Sequence, residues 1–192
     1  MQISAFIPIK KFSNSKGRLA SILSEQQRSD LSKAMANQTI KALIQSSICD
    51  SITLVTNDPD LVIEGTSTFF TNSSLNNALH EAINSFKSTN PILIMHADLP
   101  KINQIDIQYL VSSFNESIIN IVSDVDNIGT NCLLYDRAMK FTLRFGINSY
   151  ELFLTEFKNN NCNWNNLSIE SLQDDLDSED DYFKLKHYVR GE

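Results

Sequence analysis

The sequence has few cysteines and no long apolar run. A membrane-spanning helix needs about 20 apolar residues, and no stretch of this chain approaches that length, so we expect no membrane association. The N-terminus lacks a basic region before its first apolar segment, which argues against a secretory signal peptide. The three cysteines, Cys49, Cys132 and Cys162, match neither a metal-site spacing nor a disulfide framework. Their odd number and wide spacing favour a reducing, cytoplasmic environment.

Basic residues are also in the minority, with 16 Lys and Arg against 23 Asp and Glu, for a net charge of −7. A nucleic-acid partner requires a basic face, so we expect none, although a local basic pocket for a small anion is compatible with this charge. The 192 residues are 42% apolar and 20% charged, as in an ordinary soluble protein. Without repeats or low-complexity linkers, residues 1–192 are predicted to form a single domain.

Short apolar segments alternate with amphipathic helical segments over the first 123 residues, which indicates βαβ units and a mostly parallel sheet. The predicted strands here are 3–9, 51–56, 67–71, 92–95 and 118–122, and the predicted helices are 24–46, 75–86 and 103–114. The first helix is predicted to begin at a capping box, Ser24 to Gln27. Beyond residue 123 we expect strands at 131–135, 141–145 and 163–169, a helix at 149–158 and a last helix opened by residues 175–181.

Asp98 follows the apolar strand Ile92-Leu93-Ile94-Met95 and precedes Leu99-Pro100. A residue before proline is pushed out of the helical region, so the chain leaves this strand in an extended turn. Asp98 is therefore predicted to lie at the carboxyl edge of the sheet, where open α/β sheets bind ligands. A cap of the turn or of the next helix is an equal alternative at this point.

Two further groups carry candidate chemistry. The loop after the first strand contains Lys10, Lys16 and Arg18, and such a loop is a natural phosphate cradle, although it is not a Walker motif. Taken alone, a solvated basic turn is the simpler interpretation. Asp175 and Asp177 lie in an acidic stretch, and carboxylates that meet Asp98 would suit Mg²⁺. Taken alone, that stretch is a solvated acidic face.

Two loops could bind a small anion. Residues 124–131 follow a strand and contain Gly129, Thr130 and Asn131, but a hairpin turn explains the same composition equally well. Residues 144–149 end at Ser149, which is a candidate helix N-cap and lies at a helix N-terminus, a common anion site.

Seven short motifs in order resemble those of the CofC family, the guanylyltransferases of coenzyme F-420 biosynthesis. They are Ile7-Pro8-Ile9-Lys10, Lys16-x-Arg18-Leu19-Ala20, Leu75-Asn76-x-Ala78-Leu79, Ala97-Asp98-Leu99-Pro100, Gly129-Thr130-Asn131, Arg144-Phe145-Gly146-x-x-Ser149 and Asp175-x-Asp177. The resemblance covers nearly the whole chain. It implies a single-domain, Rossmann-like α/β fold with a mixed sheet, of the nucleotide-diphospho-sugar transferase (GT-A) type. It also implies an enzyme that joins GMP from GTP to a three-carbon phospho-acid and releases pyrophosphate.

The resemblance assigns roles to the motif residues. It implies that the nucleotide is bound by Lys10, Lys16, Arg18, Leu75 and Asn76, of which Lys10, Lys16 and Arg18 are catalytic together with Asp98. It implies that Mg²⁺ is bound by Asp98 and Asp177, with Asp175 as a further candidate. It implies that the acceptor acid is bound by Thr130, Asn131, Gly146 and Ser149. The acceptor is expected to be 2-phospho-L-lactate first, with phosphoenolpyruvate or 3-phosphoglycerate as alternatives.

Three residues depart from the family pattern: His96 and Glu179 stand where proline is usual, and Asn127 replaces a glycine. His96 is expected to be a core or surface residue, with a hydrogen-bond donor that supports the site as the alternative. Two other functions stay open: a related nucleotidyltransferase for a sugar phosphate or molybdenum cofactor, and a non-catalytic nucleotide-binding partner protein. The first should carry a glycine-rich loop after the first strand, whereas only Gly17 is present; the second should have lost site residues, and none is lost. A homodimer is compatible with the sequence.

Overall fold

A seven-stranded mixed sheet forms the centre of the computed structural model, which describes residues 2–189. The strands are β1 (Ile3–Ile9), β2 (Cys49–Thr56), β3 (Ser67–Phe70), β4 (Ile92–Met95), β5 (Ile118–Ser123), β6 (Thr130–Tyr135) and β7 (Asn163–Asn166). The helices are α1 (Glu25–Ser46), α2 (Leu75–Ser85), α3 (Gln104–Ser112), α4 (Ser149–Asn159), α5 (Glu170–Gln173) and α6 (Glu179–Leu185). The α/β class and the single mixed sheet are as the sequence predicts.

The strand order is β3-β2-β1-β4-β6-β5-β7. The first four strands pair in parallel, as predicted from their alternation with helices. The antiparallel strand β6 is inserted between β4 and β5, and it pairs with both. The sheet is therefore mixed at its centre, and the turn between β5 and β6 lies beside the end of β4.

Two helical layers cover the sheet. On one face α1, α3 and α5 bury Ile40, Leu43, Leu110 and Leu172 against the strands. On the other face α2 and α4 contribute Ala78, Leu79, Phe153 and Phe157. At roughly 25 cal/mol for each Å² of apolar surface removed from water, these two layers supply most of the favourable free energy of folding.

Several local predictions are confirmed. β1 has the predicted limits, and the capping box of α1 is present: Gln27 N donates to Ser24 Oγ while Ser24 N donates to Gln27 Oε1. Asn103 caps α3 by accepting a hydrogen bond from Asp106 N. Within residues 2–189 no helix is both long and apolar enough to cross a membrane.

Three predicted elements are wrong in type or extent. Residues 141–145 form no strand, because the backbone amides of Thr142 and Phe145 donate to side chains, Glu156 Oε1 and Asn76 Oδ1, and not to a neighbouring strand. The strand predicted at 163–169 ends at Asn166. The last helix begins only at Glu179, after the N-cap Ser178, so residues 175–177 are free to reach the sheet.

Candidate active site

A cavity of about 960 Å³ opens at the carboxyl ends of β1 and β4. This is the edge at which open α/β sheets bind ligands. The predicted site residues that line the cavity are Lys10, Lys16, Arg18, Leu75, Asp98, Thr130, Asn131, Gly146, Ser149, Asp175 and Asp177. Asn76 alone of the predicted set is not on the cavity wall. Segments scattered over the sequence thus meet at one place.

Lys16 lies at the centre of this cavity wall. Its ammonium Nζ is 2.8 Å from Asp98 Oδ2 and 2.7 Å from Asp177 Oδ1, and its side chain is only 7% exposed. Burial lowers the pKa of the Lys16 ammonium, but the charges of Asp98 and Asp177 outweigh that effect and raise its pKa above the ordinary value. Lys16 is therefore a fixed positive charge. Two of its three N–H donors are used, which leaves the third for a ligand.

The loop that carries Lys16 also places Lys10 and Arg18 at the cavity. Lys16 has a φ of +52° and stands between two short 3-10 turns, Phe12–Asn14 and Gly17–Leu19. Arg18 is 76% exposed, and its Nη1 lies 3.8 Å from Asp177 Oδ2. Lys10 is exposed and forms no ion pair among the described residues. Both exposed cations are available to an anion in the cavity, as the predicted phosphate role requires.

Asp175 and Asp177 reach the cavity because Leu176 between them anchors the chain. Leu176 is fully buried against Leu19 and Met35, and its backbone N donates to the carbonyl oxygen of Asp98 at 3.1 Å. In an extended segment the residues on either side of a buried one share the opposite face. The acidic stretch is consequently a built part of the cavity wall at these two residues.

Asp98, Asp175 and Asp177 form a carboxylate cluster that fits a metal ion. One oxygen from each lies within 4.8 Å of the other two, and Asp98 Oδ1 is buried without a hydrogen-bond partner in the part of the chain that the structure describes. Burial and the charges of Asp98 and Asp177 raise the pKa of Asp175 to about 7. An all-oxygen donor set with an unused buried oxygen is suited to Mg²⁺, and the ion would relieve the repulsion among the three carboxylates.

The second side of the cavity contains the predicted acceptor residues Thr130 and Asn131, and the structure distinguishes them. Asn131 Nδ2 donates to the carbonyl oxygens of Leu172 and Gln173 at 3.1 and 3.2 Å, so its amide is engaged in holding α5. Thr130 Oγ1 is buried and has no partner within residues 2–189. Thr130 is accordingly the one with an unused hydroxyl to offer a ligand.

The loop before α4 forms the adjacent wall. Gly146 has a φ of +132° and Asn148 a φ of +56°, a left-handed region that favours glycine and asparagine. These turns make Asn148 the N-cap of α4, so Ser149 is its first helical residue and not the predicted N-cap; Ser149 is nearly fully buried and lines the cavity. The backbone N–H groups of Ser149 and Tyr150 already donate to the carbonyl oxygens of Gly146 and Ile128, so this helix start offers a ligand the Ser149 hydroxyl.

Asn76 and Arg144 support this loop and do not face the ligand space. Asn76 Nδ2 donates to Phe145 O, and Asn76 Oδ1 accepts from Phe145 N, both at 2.9 Å. Arg144 donates from Nε and Nη2 to Glu156 Oε2 at 3.0 and 2.7 Å. The structure therefore gives Asn76 a positioning contact with the acceptor side, whereas the sequence predicts a nucleotide contact.

Residues 124–131 were predicted either to form a hairpin turn or to wrap a small anion, and the turn between β5 and β6 is a hairpin that also lines the cavity. It is a hairpin turn, closed by Asp124, whose carboxylate accepts from Ile128 N and Gly129 N. It also lines the cavity with Asp124, Ile128 and Gly129. Asn127 has a φ of +57°, so this asparagine adopts the left-handed conformation open to glycine.

His96 is a cavity residue for which the sequence favoured a role outside the site. It was expected in the core or at the surface, but it lines the cavity, and its ring Nε2 is buried with no hydrogen-bond partner among the described residues. Burial lowers the pKa of the His96 ring, so the imidazole is neutral at pH 7. The available signal was its position directly after β4 and two residues before Asp98, because an extended segment that continues a strand keeps the alternation of faces.

The cavity has a buried lysine, two exposed cations and a carboxylate cluster on one side and the hydroxyl groups of Thr130 and Ser149 on the other, an arrangement that suits a phosphate-bearing ligand. Known structures agree on the fold. A nucleotidyl transferase from Methanothermobacter has a TM-score of 0.68 and 15% identity, covering 98% of both chains. A protein described as a nucleotide-diphospho-sugar transferase from Desulfovibrio desulfuricans also has a TM-score of 0.68, with 14% identity over 87% of this chain and 80% of that one.

The family model described as "Guanylyl transferase CofC like" matches residues 3–186, and this chain belongs to that family. The 2-phospho-L-lactate guanylyltransferase of Methanosphaera stadtmanae is 31% identical, over 99% of this chain and 86% of that protein. The phosphoenolpyruvate guanylyltransferase of Roseiflexus castenholzii is 27% identical, over 94% of this chain and 86% of that protein. The family predicted from the seven motifs is confirmed.

Proposed function

We propose that this chain is a Mg²⁺-dependent guanylyltransferase that joins GMP from GTP to a three-carbon phospho-acid and releases pyrophosphate, as a step in coenzyme F-420 biosynthesis. The observation that carries the proposal is the meeting of Lys16, Asp98 and Asp177 at one end of a cavity whose other end offers Thr130 Oγ1 and the start of α4. One end suits a triphosphate with its metal, and the other suits a small anion.

The acceptor is proposed to be 2-phospho-L-lactate, with phosphoenolpyruvate next. The two relatives described above carry these two substrates in their names, and each spans nearly the whole chain. Both acids combine a phosphate monoester with a carboxylate on three carbons. Their shared chemistry matches a site with the hydroxyl donors of Thr130 and Ser149, and the test below separates them.

In the proposed reaction a phosphate oxygen of the acceptor attacks the α-phosphorus of GTP, and the bond from that phosphorus to the bridging oxygen of the departing pyrophosphate breaks. A phosphate monoester has a second pKa near ~6 and is already largely a dianion at neutral pH. No protein base is needed to remove a proton. Catalysis then consists of positioning and of compensating negative charge in the transition state.

Each residue has a part in that scheme. The third N–H of Lys16 donates to a phosphate oxygen, while Lys10 and Arg18 bind the outer phosphates from the exposed side of the loop. Asp98, Asp177 and Asp175 would hold Mg²⁺, which supplies charge neutralisation to the phosphate oxygens when bound. Thr130 and Ser149 orient the acceptor acid so that its phosphate faces the nucleotide.

The test is pyrophosphate release from GTP and MgCl₂ with each of 2-phospho-L-lactate, phosphoenolpyruvate and 3-phosphoglycerate, with ATP as a nucleotide control and EDTA as a metal control. Release with one acid, with GTP and with Mg²⁺ supports the proposal and identifies the acceptor. Folded protein that binds GTP but releases no pyrophosphate with any of the three acids contradicts it.

A further inference from the structure

His96 is placed at the cavity in a way that a packing role does not explain. Its ring centroid lies 5.4 Å from that of Phe145, the residue before Gly146, so one side of the ring is packed. Its backbone N donates to Asn131 O at 2.9 Å, which extends the pairing of β4 with β6. Yet its Nε2 is buried without a partner among residues 2–189. A buried polar atom left unpaired destabilises the fold, and a bound ligand that pairs with it would remove that cost.

A bulge in β6 brings a second unpaired group to the same face of the sheet. Val122 pairs with Cys132 and Ser123 with Thr130, so Asn131 is an extra residue between the two pairs. Regular alternation would turn Asn131 to the face of Leu133, but its amide donates to the carbonyl oxygens of α5 on the opposite face. The bulge thus leaves Thr130 on the face of His96 and Phe145.

Thr130 Oγ1 and His96 Nε2 are therefore two buried hydrogen-bonding groups that line the same cavity and lack partners in the described chain. A phospho-acid such as 2-phospho-L-lactate presents only acceptor oxygens. The His96 ring meets such an oxygen as a donor when Nε2 carries a proton.

We propose that His96 is a further acceptor-binding residue, which donates from Nε2 to the carboxylate of the phospho-acid while Thr130 donates from Oγ1. This inference rests on the proposed function and specifies how its acceptor is oriented. The carboxylate is the partner because the acceptor phosphate must face the nucleotide beside Lys16 and Asp98. His96 instead packs on Phe145, on the side of the Gly146–Ser149 loop.

The first test compares His96→Phe with the unchanged protein in steady-state kinetics. Phenylalanine keeps a ring against Phe145 but cannot donate. We expect the KM for the acceptor acid to rise about 10-fold or more and the KM for GTP to change less than about twofold. His96→Gln, which retains an N–H donor, should recover part of the loss. His80→Phe, at an exposed histidine on α2, is the matched control and should change neither KM. An unchanged acceptor KM in His96→Phe would overturn the inference.

Isopropyl phosphate separates the carboxylate from the phosphate, because a methyl group replaces the carboxylate of 2-phospho-L-lactate. Its inhibition constant should be the same in His96→Phe and in the unchanged protein. An equal weakening of isopropyl phosphate and of the acid by His96→Phe would contradict the carboxylate contact.

A binding measurement distinguishes failure of this inference from failure of the proposed function. In a long-range ¹H–¹⁵N spectrum of the three histidines, the His96 signal is assigned by its loss in His96→Phe. Addition of 2-phospho-L-lactate or phosphoenolpyruvate without GTP should shift the His96 Nε2 resonance and leave His80 unchanged. A shift without turnover supports the His96 contact while rejecting the proposed reaction. Turnover with no shift rejects the His96 contact while supporting the reaction.

Discussion

Lys16 donates to Asp98 over 2.8 Å although 82 positions separate them in the sequence. The same ammonium also contacts Asp177, so it lies among the carboxylates that are proposed to hold the metal. A lysine and a divalent cation would thus share one set of oxygens. Lys16 offsets part of the negative charge of the cluster when no metal is bound, and this relation can be tested without any substrate.

Lys16→Met should destabilise the metal-free protein and strengthen its response to metal. Removing one partner of a buried ion pair costs about 3 kcal/mol, which corresponds to a fall in Tm of about 6–12 °C for a domain of this size. MgCl₂ should raise the Tm of Lys16→Met more than that of the unchanged protein. Thermal melts in EDTA and in MgCl₂ measure both effects, with Lys33→Met, at an exposed lysine of α1, as the control. An equal Mg²⁺ response in all three proteins would speak against a shared set of oxygens.

Asp98→Asn should abolish most activity while leaving the fold intact. The amide keeps the size of the carboxylate but loses its charge at the proposed metal site, and we expect pyrophosphate release to fall by a factor of about 10²–10³. Circular dichroism should be unchanged. Asp60→Asn, at an exposed carboxylate outside the cavity, should retain full activity. Near-normal turnover in Asp98→Asn would remove Asp98 from the catalytic set.

Thr130→Val and Asn131→Asp should have different effects although the residues are neighbours. Thr130→Val removes an unpaired hydroxyl, so the KM for the acceptor should rise about tenfold while Tm stays nearly constant. Asn131→Asp turns a donor amide into a carboxylate that faces two carbonyl oxygens. This change should lower the unfolding free energy by about 2 kcal/mol or more. Steady-state kinetics and urea unfolding of both variants provide the measurement. A raised acceptor KM in Asn131→Asp together with a loss of stability in Thr130→Val would mean that Asn131 is the ligand-binding residue.

The Arg144–Glu156 pair should make stability depend on pH in the acid range. Burial raises the pKa of Glu156, but hydrogen bonds from Arg144 and Thr142 outweigh that effect and hold its pKa below the ordinary value of 4.5. A lowered folded pKa means that the ionised group stabilises the fold above the unfolded pKa and that this contribution is lost as pH falls through the folded pKa.

Unfolding free energies of Glu156→Gln and of the unchanged protein should therefore differ by a constant amount at pH values well above the ordinary pKa of 4.5 and converge as the pH falls through the lowered pKa of folded Glu156. Urea unfolding measured at intervals across this range gives the two curves. A difference that persists unchanged into the acid range would show that the carboxylate contributes no pH-dependent stability. Glu151→Gln, at an exposed glutamate of α4, is the control.

Local features of the fold were predictable because local forces determine them. The apolar run of β1 and the capping box of α1 depend on neighbours within a few residues. The place of β6 between β4 and β5 depends on contacts across the sheet, which periodicity does not contain. Residues 141–145 alternate like a strand, but Asn76 and Glu156 satisfy two of their backbone amides, and no sequence pattern marks such long-range partners.

The residues of the site were predictable from motifs, but their relations were not. Lys16 and Asp98 were each expected at the carboxyl edge of the sheet, and the structure brings them there. Three relations depend on side-chain directions in three dimensions. The Lys16 ammonium bridges Asp98 and Asp177, Asn76 supports a loop, and His96 faces the cavity. Of these, only the direction of His96 had a local clue, the continuation of the β4 alternation by one residue past Met95.

The contact between Lys16 and Asp177 closes a span of 161 residues. We expect contacts between such distant positions to form late in folding. The entropy lost on closing the chain must be overcome before these contacts contribute favourable free energy. A chain that has folded only its first βαβ units has no assembled carboxylate cluster. Such a partly folded chain is therefore not expected to cleave GTP. The rate at which enzymatic turnover returns after dilution from denaturant would therefore report when the segment that carries Asp177 packs against Lys16. The helical signal in circular dichroism should recover earlier.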